Sequence, residues 1–292
     1  MRKSLFVHIG THKTGTTSLQ IILTSMETEL AERGVCIPRA GRSSVFSGHH
    51  NVAWQLNDDA RFDPSLGDVR ALQEEIVGAG QSTVILSSED FEYLYCRPDR
   101  MHVLKSLADS LGYDAYVVVF FRGWASYANS LYAELIKYGL TQSVEDFVDS
   151  IIQHGEFVAP AGWRFCFDYP RIVAGFQGVF GDDRVLWHAY GKGTVEQFFR
   201  TVGLDEFHAQ LTGEYNANEG IGPAAVDALL ALNRQAEREN MPLDEVSERR
   251  DRILAEMSGR DAGVKFGGIS GALKDRWDHR FVSARRWLYG GK

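Results

Sequence analysis

Cysteine is scarce in this 292-residue chain, and the three present, Cys36, Cys96 and Cys166, are odd in number and far apart. They match no zinc-ligand spacing and no disulfide framework, so reduced thiols in a cytoplasmic compartment and no bound metal are expected. An excess of cations is also missing. A formal charge of −8 excludes general nucleic-acid binding as a class, because phosphate contacts need many clustered Lys and Arg residues. Long apolar runs are absent too. No stretch approaches the roughly 18 residues a membrane helix requires, so no transmembrane segment is expected. The first apolar run, Leu5–Ile9, is about half a signal-peptide core and leads directly into Gly10, so it reads as a strand and not as a leader.

What the chain does have is a 44% hydrophobic content, enough for a well-filled core. Five short runs rich in β-branched or aromatic residues read as buried parallel strands: Leu5–Ile9, Val35–Pro38, Thr83–Ser87, Ala115–Phe121 and Arg184–His188. Helical patterns lie between them at Thr16–Arg33, Val69–Gly78, Met101–Leu111, Ala125–Tyr138, Val144–Gln153 and Tyr169–Phe180. The expected fold class is α/β, a central parallel sheet of about five strands with helices on both faces. The remainder reads as helical, over Pro223–Asn240, Pro242–Met257 and Ala272–Leu288. Glycines make Gly263–Gly271 a flexible connector, and Ala40–His50 reads as a second flexible segment. No repeat or linker divides the chain, so residues 1–292 are expected to form a single domain. A local basic segment near the end carries Lys274, Arg276, Arg280, Arg285, Arg286 and Lys292 against Asp275 and Asp278, which suits a solvated amphipathic helix.

The strongest local signal follows the first strand: His8-Ile9-Gly10-Thr11-His12-Lys13-Thr14-Gly15-Thr16-Thr17-Ser18-Leu19-Gln20. A strand ends in glycine, a short loop carries one lysine, and a second glycine opens a helix. Glycines let backbone N–H groups turn toward an anion, and a helix N-terminus adds partial positive charge. The hydroxyls of Thr14, Thr16, Thr17 and Ser18 can add donors, and Lys13 supplies a point charge able to follow charge developing on a transferring group. The glycine spacing is that of the nucleotide-triphosphate loop, but there the lysine follows the second glycine. Here Lys13 precedes Gly15, Thr16 stands in the lysine position, and no second acidic motif for magnesium is evident. A metal-independent anion site is therefore expected.

Lys13-Thr14-Gly15-Thr16-Thr17-Ser18-Leu19-Gln20 closely resembles the 5′-phosphosulfate loop of bacterial-type sulfotransferases that use PAPS (3′-phosphoadenosine 5′-phosphosulfate). The resemblance implies the P-loop-like sulfotransferase fold, with Gly10 and Lys13–Ser18 around the phosphosulfate and Lys13 on the leaving oxygen. Weaker likenesses continue downstream, in Phe167-Asp168-Tyr169-Pro170, Phe180-Gly181, Val202-Gly203-Leu204 and the turn Asn216–Pro223.

A second strand–helix joint begins at Arg122, after Val117–Phe121. A guanidinium is a planar two-toothed donor suited to phosphate. The resemblance implies that Arg122 and Ser130, an Arg-x7-Ser pattern, bind the donor's 3′-phosphate. Trp124, Tyr127 and Tyr132 have the spacing of a helix core and are left out of the site.

Sulfuryl transfer also needs a base for the acceptor's proton. The third strand ends Ser87-Ser88-Glu89-Asp90, at the sheet edge that carries the loop. A partly desolvated carboxylate there suits a base near neutral pH, and the resemblance assigns that role to Glu89. The same residues read as a helix start, a serine cap followed by acidic side chains. Both readings stand together. His12, His49 and His50 are rival bases or acceptor contacts, since imidazole titrates near neutrality unaided.

The expected reaction converts PAPS and an acceptor hydroxyl (less readily an amine) to a sulfate ester and PAP (3′-phosphoadenosine 5′-phosphate). Carbohydrate, lipid and small-molecule acceptors all remain open, as does the oligomeric state. A magnesium-dependent kinase with the same loop layout, and a non-catalytic PAP-binding protein, are the alternatives.

Overall fold

The structure is a computed structural model that describes residues 3–42, 47–160, 162–208, 220–258, 260–261, 264–269, 273, 275–278, 280 and 287–289. Several expected features fall wholly or partly outside them. These are residues 216–219 of the turn, Gly263 and Gly271 of the connector, most of the helix expected over Ala272–Leu288, and Lys274, Arg285, Arg286 and Lys292. The chain divides into two compact units, Met1–Arg122 with Tyr169–Ala217, and Gly123–Asp168 with Asn218–Lys292.

The first unit holds the sheet. Its elements run β1 (Lys3–His8), α1 (Thr16–Ser25), α2 (Glu27–Glu32), β2 (Val35–Cys36), α3 (His50–Asn57), α4 (Val69–Ala79), β3 (Thr83–Ser87), a 3-10 helix (Glu89–Cys96), α5 (Pro98–Ser110) and β4 (Tyr113–Phe121). The second unit then contributes α6 (Trp124–Lys137), α7 (Val144–His154), β5 (Glu156–Val158) and β6 (Arg164–Cys166). The chain returns to the first unit with α8 (Tyr169–Phe180), β7 (Val185–Ala189), α9 (Thr194–Thr201) and α10 (Asp205–His208). It ends in the second with α11 (Pro223–Glu239) and α12 (Leu243–Ser258).

Five strands lie in the order β2-β3-β1-β4-β7, all parallel. Side chains alternate between two covered faces. On one, Phe6, Ile85, Val118 and Phe120 join Leu19, Ile22 and Leu23 of α1 and Phe198 and Phe199 of α9 in a common core. On the other, Leu5, Val7, Val117, Val119 and Phe121 are buried where α5 and α8 pack on β4, with Phe121 stacked on Tyr169 at 4.4 Å. The expected fold class, a five-stranded parallel sheet with helices on both faces, is thus the one observed. The chain leaves β1 toward β2 on one side, whereas β4 leads to β7 on the other. The carboxyl ends of β1 and β4 therefore flank a topological switch point, where open α/β sheets place their ligands.

Two expectations need correction. The single helix over Thr16–Arg33 is two, joined at Met26. The Thr24 hydroxyl bonds back to the Gln20 carbonyl and the Ser25 hydroxyl to that of Ile22, competition that weakens helix continuation. The stretch Ala40–His50 is not flexible at its end, because His49 and His50 are buried and open α3. A short antiparallel pair, β5 with β6, lies between the helices expected over Val144–Gln153 and Tyr169–Phe180 and has no counterpart among the expected strands.

In the second unit α6 packs on α7 and α11, and α11 on α12. Buried Asn233 donates to the carbonyls of Ile136 and Leu140 at 2.8 and 2.9 Å, satisfying the end of α6. Trp124, Tyr127 and Tyr132 are buried in this unit, as their spacing implies. Among the described residues no helix is long and apolar enough to cross a membrane.

The 3-10 helix is held from behind by α8, whose Gly175 lies so close to the Tyr95 carbonyl that an added Cβ would clash with backbone. Gly175→Ala is expected to lower unfolding stability by about 2 kcal/mol, despite the gain of about 1 kcal/mol that alanine gives an exposed helix position. Urea denaturation measures it, and an unchanged midpoint would mean that α8 does not press on this segment.

Candidate active site

The loop between β1 and α1 has an unusual backbone. Gly10 (φ 36°), Lys13 (φ 65°) and Gly15 (φ 75°) all lie at positive φ. For lysine that conformation is disfavoured and persists only when surrounding contacts impose it. The contacts are visible. Arg122, delivered by the end of β4, donates from Nη1 to the Lys13 carbonyl at 3.0 Å. Thr11 donates to the Phe120 carbonyl at 3.0 Å, and the Thr14 hydroxyl to the Thr11 carbonyl. Thr14 therefore cannot offer its hydroxyl to a ligand as expected, leaving its backbone N–H.

Gly10 has a second constraint, since a Cβ there would sit 2.6 Å from Thr16 Oγ1. That hydroxyl is buried and has no hydrogen-bond partner among the described residues. Gly15 forms the N-cap of α1 in a left-handed conformation and brings no capping side chain to the helix N-terminus. Tyr190, just past β7, packs against Gly15, its ring 3.4 Å from where a Cβ would stand, and Arg122 lies over the same ring at 5.6 Å. Nothing near Tyr190 in the sequence signals this role beyond its position at a strand end on the same sheet edge.

The neighbouring edge belongs to β3. The Ser88 N–H donates to the His8 carbonyl, tying the end of β3 to β1. Ser88 caps the 3-10 helix by accepting from the Asp90 N–H at 3.1 Å, so Glu89 stands in the first turn of a capped helix, as that reading anticipates. Glu89 is also brought to the loop side. Its Oε2 accepts from Gln20 Nε2 of α1 at 3.1 Å and lies 3.9 Å from His50 Nε2. Gly48 allows this approach, since a Cβ there would come within 2.5 Å of Gln20 Nε2 and 2.8 Å of His50 Nε2.

The three candidate histidines separate clearly. His49 is a strut: its Nδ1 accepts from the Ser87 N–H at 3.0 Å, which leaves Nε2 to donate to the Pro38 carbonyl at 2.9 Å. Burial, with help from the Arg42 charge, pushes it down to about 3, so it is neutral. His12 is half-buried beside Tyr93, its Nε2 2.8 Å from the phenol oxygen. Burial lowers its pKa, partly offset by Asp90 and Glu89. His50 differs. Its Nδ1 lies 3.0 Å from Asp90 Oδ2 and 2.9 Å from Ser88 Oγ. Burial alone would lower its pKa, but the bond to Asp90 and the charges of Glu89 and Asp90 prevail and raise it.

Asp90 is the buried hub of this cluster. Its Oδ2 also accepts from Trp54 Nε1 at 2.8 Å, and Arg61 stands 3.7 Å from Oδ1. Burial disfavours its charge, yet His50, His12 and Arg61 hold it below the usual carboxylate range. Gln20, Trp54 and Arg61 are absent from the sequence-level site. The separation of His50 and Trp54 by one helical turn is the sole periodic hint. Ser130 lies on α6, in the second unit.

No protein-family model matches this chain, and no curated protein sequence does. A solved sulfotransferase structure from Alicyclobacillus acidocaldarius is similar, at 16% identity over 89% of this chain and 96% of that one, with a TM-score of 0.43. A likeness so distant carries no argument about function, which rests on the geometry above.

His8 is a second buried neutral histidine, bonded through Nδ1 to Ser87 Oγ at 2.8 Å and pushed down to about 3 by burial. In the unfolded chain both His8 and His49 bind a proton near the ordinary value of about 6.5. Unfolding therefore takes up protons between pH 6.5 and 3, and stability falls as pH falls through that window. Each is expected to contribute a slope of about 1.4 kcal/mol per pH unit. Urea unfolding at pH 6 and pH 5 measures this, and a His49→Asn variant with the full wild-type slope would contradict it.

Proposed function

We propose that the chain is a sulfotransferase that moves the sulfuryl group of PAPS to an acceptor hydroxyl. One observation carries this reading: the lysine of a strand–glycine–helix loop is held in a left-handed conformation by Arg122, on the sheet edge that also bears Glu89. The loop fits a phosphosulfate. Backbone N–H groups at Thr14 to Thr17 cluster around a helix N-terminus without a capping side chain, and the buried Thr16 hydroxyl has no hydrogen-bond partner among the described residues.

The donor, when bound, supplies a sulfuryl group attached to a phosphate that leaves readily. Glu89 takes the proton of the acceptor hydroxyl as the new O–S bond forms. The electron pair of the breaking S–O bond goes to the bridging oxygen, where Lys13 meets the charge. Arg122 keeps Lys13 in its strained conformation and adds a cation to the same corner. Positioning and charge stabilisation thus provide most of the rate gain, and no residue in this account needs a metal ion.

Labelled PAPS incubated with sugars, sterols and phenols in the presence of a chelator is expected to yield a sulfate ester and PAP. Lys13→Ala should lower turnover by about 1000-fold while weakening PAP binding far less. Wild-type turnover in that variant would remove the mechanism. Phosphate transfer from ATP that requires magnesium would replace it with a kinase, and PAP binding without any transfer would leave a nucleotide-binding protein.

A further inference from the structure

We infer that His50 is a positioning residue for Glu89: held by Asp90, it steadies one carboxylate oxygen and turns the other toward the acceptor. The inference rests on the reading of Glu89 as the base and extends it to two residues with no part in that reading.

The recorded polar contacts of the Glu89 carboxylate, from Gln20 and His50, both converge on Oε2. A carboxylate anchored at one oxygen presents the other in a defined direction, which proton transfer from a bound hydroxyl requires. His50 can anchor it because its own ring is fixed. Nδ1 lies 3.0 Å from Asp90 Oδ2, an ionised carboxylate oxygen that can only accept, with Ser88 Oγ alongside at 2.9 Å. Nδ1 therefore carries a proton, and Nε2 is left facing Glu89. The Asp90 carboxylate is in turn held by Trp54 Nε1 and flanked by Arg61.

The charge state completes the device. Neutral His50, protonated at Nδ1, would turn a lone pair on Nε2 toward the Glu89 carboxylate and leave Oε2 to its bond from Gln20. The imidazolium carries N–H groups on both nitrogens, so Nε2 presents positive charge to Glu89 Oε2 across 3.9 Å. The groups facing this ring are Asp90 and Glu89 from the 3-10 helix, His12 from the loop, Arg61 from beyond α3 and its neighbour His49. The two carboxylates outweigh burial and the nearby cations, which favours the charged ring. As pH rises past its titration the clamp is released. Turnover should then fall on the alkaline side.

The test is a pH titration of the histidine ring signals of the intact protein by NMR, with His50 assigned from a His50→Gln variant. The His50 midpoint is expected above that of an ordinary histidine and should move down in both Glu89→Gln and Asp90→Asn. A midpoint that Glu89→Gln leaves in place overturns the coupling, whatever the enzyme does. The second measurement is turnover against pH, with PAPS and the fastest acceptor among the sugars, sterols and phenols. His50→Gln should lose about 100-fold in kcat, retain its affinity for PAP, and lack the alkaline limb of the wild type. Asp90→Asn should move that limb toward lower pH, and it decides the matter if His50→Gln fails to fold. Transfer by the wild type and none by Glu89→Gln, with His50→Gln unaffected, would sink the positioning role alone. A wild type that transfers nothing from PAPS sinks both.

Discussion

One hydrogen bond organises the working edge of this protein, from Arg122 Nη1 to the carbonyl of Lys13. It joins the residue that ends β4 to the loop that ends β1, across the switch point of the sheet. Lysine does not choose a left-handed backbone on its own account. Held there between two glycines also at positive φ, it leaves the loop tightly curled where it runs into the first turn of α1. The curl of the loop, on which the proposed grip on a phosphosulfate rests, therefore depends on the sheet register as much as on the loop's own residues.

The remaining parts of the site are arranged around that corner by similar long-range ties. Ser88 bonds back to β1, which brings Glu89 and Asp90 to the loop side. His49 bonds both β3 and the Pro38 carbonyl, fixing the start of α3 and with it His50. Neutral buried histidine acts as scaffold at His49. At His50, one residue later, the bond to Asp90 and the charges of two carboxylates outweigh burial and raise the pKa of the ring. Adjacent residues of one kind thus receive opposite roles from their surroundings.

How much of this is legible in the sequence follows from the range of each interaction. The five strands are local apolar runs, and all five pair as a parallel sheet with ends within two residues of those expected. The loop proposed to hold the phosphosulfate is likewise a contiguous signal, since glycine, lysine and helix start lie within a few residues of one another. The ties between Arg122 and Lys13, and between His50 and Asp90, span 109 and 40 residues, and no local pattern announces them. His49 and His50 read as part of a flexible segment because Ser47-Gly48 precedes them. The glycine is there for a different reason, to let Gln20 and His50 come close to its backbone. Thr14 looks like a ligand hydroxyl in the sequence but serves the loop itself, a distinction that only the position of the Thr11 carbonyl reveals.

The claim on which the account turns is that this corner grips a nucleotide bearing phosphates at both 3′ and 5′ positions without a metal ion. Calorimetric titration of the wild-type protein with PAP in a chelator, set beside AMP, tests it most directly. Saturable binding of one PAP per chain, weakened when the 3′-phosphate is missing, is the predicted result. Absence of PAP binding, with ATP bound only once magnesium is supplied, would contradict it.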